Sequence, residues 1–257
     1  MIGLIKKLLY SLLGKSLYLR LISWSFLKFY WTGILSLFSK FQVHYLVRKL
    51  IKPGDRIIDI GANLGYYTGI FAALTGKEGL VWAIEPVKLY RNILARNTRK
   101  YTNVQLIPFA LGSEEEDIMM AIPSEKKYRH GLTRVIDKNE KIPERDTYQV
   151  KMKTPETLFN NIDGLDYIKC DIEGYEGKVI PGFTGLIEQY NPVIQIELDK
   201  NNFDSINSLL SGLGYKAFHV NKRKLELLAK GLSYSGDLFY IHIDQVDNYK
   251  SLLNISD

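Results

Sequence analysis

The sequence predicts a doubly wound α/β fold, a mostly parallel sheet with covering helices and a helical extension at its N-terminus. Three observations carry that expectation. Short β-branched runs alternate with helical patterns from Ile51 onward. A glycine-rich turn follows the first run, and an acid, Glu85, closes the second, 20 residues past the last glycine of that turn. The chain has 257 residues, 46% of them hydrophobic, enough to bury one large core.

Residues 1–50 are set apart by charge. They carry Lys6, Lys7, Lys15, Arg20, Lys28, Lys40, Arg48 and Lys49 and no acid; the first carboxylate is Asp55. The remaining residues hold 26 bases against 28 acids, so the basic character behind the formal net charge of +6 belongs to this segment alone. Ile2, Ile5, Leu9 and Leu12 recur at helical spacing, with Lys6, Lys7 and Ser11 on the other side, as in an amphipathic helix. No uncharged run approaches the ~20 residues of a spanning helix. Lysines interrupt the apolar stretch and no small-residue cleavage site follows, so a signal peptide fits poorly. A basic helix carrying Trp24 and Trp31 suits the interface of an anionic membrane. Capping of the domain or a homo-oligomer contact is the plainer use. Nucleic acid ranks last, because the rest of the chain is slightly acidic and holds no recognition motif.

The main domain is expected over 51–245, with a tail at 246–257. Its strands read as Arg56–Ile60, Leu80–Ile84, Val104–Ile107, Tyr167–Cys170, Val193–Leu198, 215–220 and 238–243. Helical patterns fall at 66–74, 88–100 and 203–213, with a further helical stretch between the fourth and fifth strands. Residues 112–150 break the rhythm and read as an irregular insertion beside the site, with a strand at 118–122. Cys170 is the one cysteine, which excludes an internal disulfide and suits a reducing, cytoplasmic compartment. It also leaves no cysteine cluster for zinc, and no spacing requires a metal.

The most informative stretch is Asp59-Ile60-Gly61-Ala62-Asn63-Leu64-Gly65, at a strand-to-helix turn. Gly61 and Gly65 let the backbone turn tightly and approach a ligand. Glu85 stands where an acid binds a ribose diol. A dinucleotide needs Gly-x-Gly-x-x-Gly, and Asn63 occupies the middle position. Asp59, two residues before the first glycine, suits a cationic cofactor bearing an amino-acid group. The plain alternative is a turn-capping Asp59 and a solvated Glu85.

Asp59-Ile-Gly-Ala-Asn-Leu-Gly65, Glu85-Pro86, Ala110-Leu111-Gly112 and Ile168-Lys-Cys-Asp-Ile-Glu-Gly-Tyr-Glu176 together resemble the FkbM family of methyltransferases, in order and spacing. The resemblance implies a class I, Rossmann-like methyltransferase fold and methyl transfer from S-adenosyl-L-methionine to a hydroxyl oxygen, often on a sugar, glycan or natural product. It implies cofactor contacts from Asp59, Gly61, Asn63, Gly65 and Glu85, and from Asn103, Ala110 and Leu111 near the adenine. Asp171, Glu173 and Glu176 would lie at the reaction side, Asp171 within reach of cofactor as well. Ligands of open α/β sheets bind beyond the carboxyl ends of the strands, which independently favours Asp171. Asp171, Glu173 or His130 would take the hydroxyl proton, with Asp171 first, and Lys169 would hold one of the acids. Glu173 and Glu176 have a plain alternative as first-turn acids of the next helix. Glu197 ends the fifth strand and faces the same crevice. The expected setting is the inner face of the membrane, next to a lipid-linked glycan. The competing readings are an NAD-dependent oxidoreductase and a non-catalytic membrane adapter.

Overall fold

The structure is a computed structural model that describes residues 2–122, 130–136, 147–229 and 231–253, with the side chains of residues 2–5 and of His130 outside that description. Helix α1 (Ile2–Trp31) opens the chain and is broken at Gly14, whose φ of 70° and ψ of 165° are not helical. Two 3-10 turns, Ile34–Leu37 and Ser39–Phe41, lead into α2 (Gln42–Leu50). Then come β1 (Arg56–Ile60), α3 (Tyr66–Thr75), β2 (Leu80–Ile84), α4 (Lys88–Thr98) and β3 (Val104–Ile107). Next are four short strands: β4 (Ala110–Leu111), β5 (Glu116–Ala121), β6 (Arg134–Val135) and β7 (Thr147–Lys153). The chain continues through α5 (Pro155–Phe159), β8 (Tyr167–Cys170), α6 (Glu176–Val179), α7 (Thr184–Tyr190) and β9 (Val193–Leu198). It ends with α8 (Lys200–Gly212), β10 (Tyr215–Asn221), β11 (Lys224–Leu227), β12 (Gly236–His242) and a 3-10 turn, Ile243–Leu252.

The large sheet has the order β11-β10-β12-β9-β8-β1-β2-β3. The five strands from β9 to β3 are parallel, and β12, β10 and β11 continue it antiparallel. Strand β1 is central, and the chain reverses direction across the sheet between β1 and β8. Such a switch point leaves a crevice at the carboxyl ends of the strands.

Side-chain alternation assigns the two faces. Ile57, Val81, Tyr167, Val193, Phe239 and Ile241 pack under α2 and α3. Ile58, Ile60, Trp82, Ile168, Ile194 and Ile196 form the opposite core with α5 to α8. A period of two explains the split, since neighbours in register share a face. Toward the carboxyl ends the first face turns polar. Asp59 pairs in register with Lys169, Lys169 with Gln195, and Glu197 with Asp237. Those residues meet at the crevice.

Two sequence expectations need correction, and one open alternative is decided. Residues 112–150 are not irregular where they are described: β5 and β7 pair antiparallel, with β4 and β6 at the edges of a second sheet ordered β4-β7-β5-β6. Alternating Ile118 and Met120 against Val150 and Tyr148 give this small sheet its core, a pattern masked in the sequence by its charged residues. Residues 246–253 are no free tail, because Tyr249, Leu252 and Leu253 are buried with α2. The N-terminal extension packs on the domain, the capping alternative for that segment. Tyr18 packs with Leu64, Val87 and Tyr90, and Tyr30, Leu46, Val47 and Leu50 are buried against the sheet. Lys15 reaches the Tyr148 hydroxyl and ties α1 to β7.

Candidate active site

A cavity of about 320 Å³ opens at the switch point. The turn after β1 forms its floor. Gly61 has a φ of 78°, and a Cβ there would lie 2.0 Å from the Asp171 carbonyl oxygen. Only glycine lets the β1 and β8 loops come so close. Gly65, at φ 82°, abuts Leu94 of α4, where a Cβ would come within 2.9 Å of Cδ1. Between them Asn63 adopts the left-handed region at φ 51°, which asparagine tolerates better than most residues.

Glu85 stitches two loops together. Its Oε2 accepts from the Asn63 backbone N–H at 2.9 Å, and its Oε1 accepts from the Val87 N–H at 2.8 Å. The Arg91 guanidinium donates to the carbonyls of Glu85 and Pro86 and fixes that corner. Burial pushes the Glu85 carboxyl up to about 7, although both N–H groups oppose the rise. Asp59 is fully buried. Its Oδ2 accepts from the Thr68 hydroxyl at 2.6 Å, while Oδ1 has no partner among the described residues. The buried Asn63 Oδ1 is also without one. Both residues line the cavity. Buried polar atoms are rarely left unsatisfied, so two in one cavity suit a polar ligand with N–H or O–H donors.

The wall from β8 carries charge. Lys169 is buried, and its ammonium donates to Asp171 Oδ2 at 3.0 Å and lies 4.6 Å from the Tyr67 ring centroid. Burial alone would lower the pKa of that ammonium, but Asp171, Asp59 and Asp237 outweigh it and hold it above the ordinary lysine value. Glu173 sits at φ 56° beside Gly174 at φ 95°. Burial, then the Asp171 and Glu176 charges, push its carboxyl up to about 7. Burial and the charges of Asp171 and Asp237 do the same to Glu197.

Most of the predicted residues converge here: Asp59, Gly61, Asn63, Glu85, Ala110, Leu111, Lys169, Asp171, Glu173 and Glu197 all line the cavity. Gly65 stands behind it, setting the turn. Three expectations fare differently. Asn103 does not line the cavity; it precedes β3, at the far end of the sheet, where its amide donates to the Ala72 and Gly76 carbonyls and Thr75 Oγ1. Those donations close the α3–β2 connection, which the sequence spacing does not reveal. Glu176 faces its own loop, its Oε1 accepting from the Ile172 and Gly174 N–H groups. It therefore holds the left-handed turn that presents Asp171 and Glu173. His130 begins a 3-10 turn, His130–Leu132, but its side chain lies outside the described residues. The neighbouring Gly131, Thr133 and Val135 do line the cavity.

Sequence reasoning missed His44, Tyr67 and Asp237, which also line the cavity. His44 comes from α2, in the segment read as separate from the domain. Its ring stacks on Tyr67 with centroids 4.4 Å apart, and its buried Nδ1 has no partner among the described residues. Burial and then the Lys169 charge push its pKa down to about 4, so the imidazole is neutral near pH 7. Asp237 accepts from Gln195 Nε2 at 2.9 Å, and Gln195 in turn accepts from the Tyr167 hydroxyl. Its placement follows from antiparallel pairing with Glu197, which no local pattern announces.

These groups predict an unusual pH dependence. Glu85, Glu173 and Glu197 are each pushed up to about 7, and Asp55 to about 6 by its burial. The folded chain then holds protons that the unfolded chain releases, so stability falls as pH rises through that range. His44, with a lowered value, works in the opposite sense below about 6.5 but is one group against four. The ligand-free protein is expected to melt at a higher temperature at pH 6 than at pH 8. A midpoint that climbs over that interval would show that these acids are not held in the protonated form by the fold.

Comparison with known proteins adds independent findings. A family model described as the methyltransferase FkbM domain matches residues 59–217. Protein-L-isoaspartate O-methyltransferase 1 of Arabidopsis thaliana is 40% identical over 42 residues, 16% of this chain and 18% of the relative. Its namesake from Archaeoglobus fulgidus is 34% identical over 59 residues, 22% of this chain and 27% of the relative. The matches thus span about a quarter or less of these curated relatives. Among solved structures, methyltransferase FkbM from Methylobacillus flagellatus KT aligns with a TM-score of 0.48 and 16% identity, over 75% of this chain and 48% of that one. Aeropyrum pernix fibrillarin with bound S-adenosyl-L-methionine aligns with a TM-score of 0.44 and 12% identity, over 75% of this chain and 68% of the other.

Proposed function

This chain belongs to the FkbM methyltransferase domain family, and on that premise we propose that it methylates a hydroxyl oxygen of a sugar, glycan or glycolipid-type acceptor, using S-adenosyl-L-methionine. The observation that carries this reading is the pair of unsatisfied buried oxygens, Asp59 Oδ1 and Asn63 Oδ1, in the same cavity as the Lys169–Asp171 ion pair. When bound, the cofactor supplies an electrophilic methyl group on a sulfonium. Asp59 Oδ1 would accept from its amino group, and Glu85, with lone pairs to spare, from its ribose hydroxyls. Ala110, Leu111, Ile84 and Val87 offer apolar surface for the base. Asp171 would receive the proton of the acceptor hydroxyl as the oxygen attacks, and Lys169 holds that carboxylate in position. The neutral His44 is placed to hydrogen-bond an acceptor hydroxyl.

The acceptor side is ringed by Asp171, Glu173, Glu197 and Asp237, with Lys169 set behind them. Such a rim favours a neutral polyol, whose hydroxyls donate to carboxylates, over a phosphate or carboxylate acceptor. The outward surface of α1 supports work at an anionic membrane. Leu8, Leu12, Leu17 and Trp24 are each more than half exposed beside Lys6, Lys7, Arg20 and Lys28. No helix among the described residues is long and apolar enough to cross a bilayer.

Calorimetric titration with S-adenosylhomocysteine and, separately, NAD tests the cofactor assignment. Micromolar affinity is expected for the first and no response to the second. At pH 8, where the Glu85 carboxyl at about 7 is ionised, Glu85→Ala removes hydrogen bonds to a charged acceptor worth about 1.5–3 kcal/mol, so affinity should fall roughly 10- to 150-fold. Binding of NAD alone would replace methyl transfer with redox chemistry.

A further inference from the structure

Helix α1 lies across α3 and α4, and a second depression of about 740 Å³ runs between α1 and the C-terminal end of α4. Leu17, Leu21, Trp24, Lys28 and Trp31 line one side at spacings of three or four residues, hence from one helical stripe. Arg96, Arg99 and Lys100 line the other, with Arg20 on the near side. The groove thus gathers five cations and no acid, and none of the five forms an ion pair among the described residues. Trp24 is 56% exposed and Trp31 42%, with Lys28 over the Trp24 ring at 4.9 Å. Elsewhere in the N-terminal segment Leu12 (73% exposed), Leu37 (80%) and Phe38 (52%) also present apolar surface to solvent.

Like charges do not cluster unpaired without cost, so the groove calls for an anion. Exposed leucines and tryptophans next to the cations fit a bilayer interface, where the rings sit at headgroup depth and the cations meet phosphate. A nucleic acid would satisfy the charges and could stack bases on Trp24 and Trp31, but it would leave the exposed leucines in water. We propose that the groove between α1 and α4 binds headgroup phosphates of anionic phospholipids, and that this two-element surface seats the protein on the membrane. The inference deepens the membrane part of the proposed function. The net positive charge still comes from residues 1–50, and Arg96, Arg99 and Lys100 of the family-matched domain extend it locally at this groove.

Deleting residues 1–50 is a poor test, because Tyr30, Leu46, Val47 and Leu50 would leave the core. Losses of about 2–5 kcal/mol at each of these four sites together rival a typical domain's stability. The full chain is instead titrated with vesicles of phosphatidylglycerol in phosphatidylcholine, and with phosphatidylcholine alone. Trp82 is buried, so a blue shift of tryptophan emission reports Trp24 and Trp31. Binding is expected only to the anionic vesicles. Arg96→Gln with Arg99→Gln removes two charges worth about 1 kcal/mol each, so partitioning should weaken about thirtyfold while S-adenosylhomocysteine affinity stays unchanged. Undiminished binding by that variant would overturn the groove while leaving α1 as an anchor. No binding by the wild type would overturn the membrane reading altogether, and the calorimetry would still judge the catalytic one. Tighter binding of a 30-nucleotide single-stranded RNA than of the anionic vesicles, lost in the same variant, would overturn it in favour of nucleic acid.

Discussion

Asp171→Asn is expected to lower the methylation rate by about 10²- to 10⁴-fold, the span typical of losing a positioned general base, with S-adenosylhomocysteine affinity changed only a few-fold. Asparagine keeps an oxygen for the Lys169 ammonium, which now donates to Asp171 Oδ2 at 3.0 Å, so the loop remains in place. What it lacks is a carboxylate oxygen able to take a proton. The loss should appear in kcat rather than in KM, because deprotonation belongs to the transition state. The measurement is a single-turnover transfer assay on an accepted sugar acceptor, with calorimetry as the control. A near-wild-type rate for D171N would move the base to Glu173, whose carboxyl at about 7 also suits proton transfer near neutrality.

Lys169→Ala is expected to lower the unfolding free energy at pH 7.5 by about 3 kcal/mol, the lower end of what deleting one member of a buried ion pair costs, because the Asp171 side chain is 34% exposed. Burial raises the pKa values of Asp59, Glu173, Glu197 and Asp237, and the Lys169 charge opposes the rise at all four. Without it Asp59 stays buried with no compensating charge, and Glu173, Glu197 and Asp237 lose the nearby cation that offsets theirs. Each acid then has a folded pKa further above its unfolded one, so the folded form gains from protonation as pH falls. The deficit should therefore shrink between pH 7.5 and 5, as read by urea unfolding at both pH values. A deficit below about 1 kcal/mol at pH 7.5 would show that water already screens the pair, as it does at exposed salt bridges.

How much of this was legible in sequence depends on the range of each interaction. Strands β1, β2, β3, β8 and β9 fall where their β-branched runs predict, because a buried parallel strand writes its burial into consecutive residues. The Asp59–Gly65 turn was equally plain, since a backbone at φ 78° and 82° with no room for a Cβ admits only glycine. Glu85 could be placed because it sits at a fixed offset on the neighbouring strand. Strands β5 and β7 were harder: one of their faces is solvated, and their charges resemble those of a loop.

The sequence by itself determined the fold class, the glycine turn, the strand-end acids and the Lys169-x-Asp171-x-Glu173 element, all encoded within a few residues of one another. Only the tertiary structure decided which distant residues join them. It brought His44 from α2 and Asp237 from β12 into the cavity and sent Asn103 to the opposite end of the sheet. It turned Glu176 back onto its own loop and set Arg96, Arg99 and Lys100 beside the basic face of α1. The physical reason is the same in each case. Periodicity and turn chemistry are local properties of the chain, whereas strand register and helix docking are settled by packing between segments that share no local pattern.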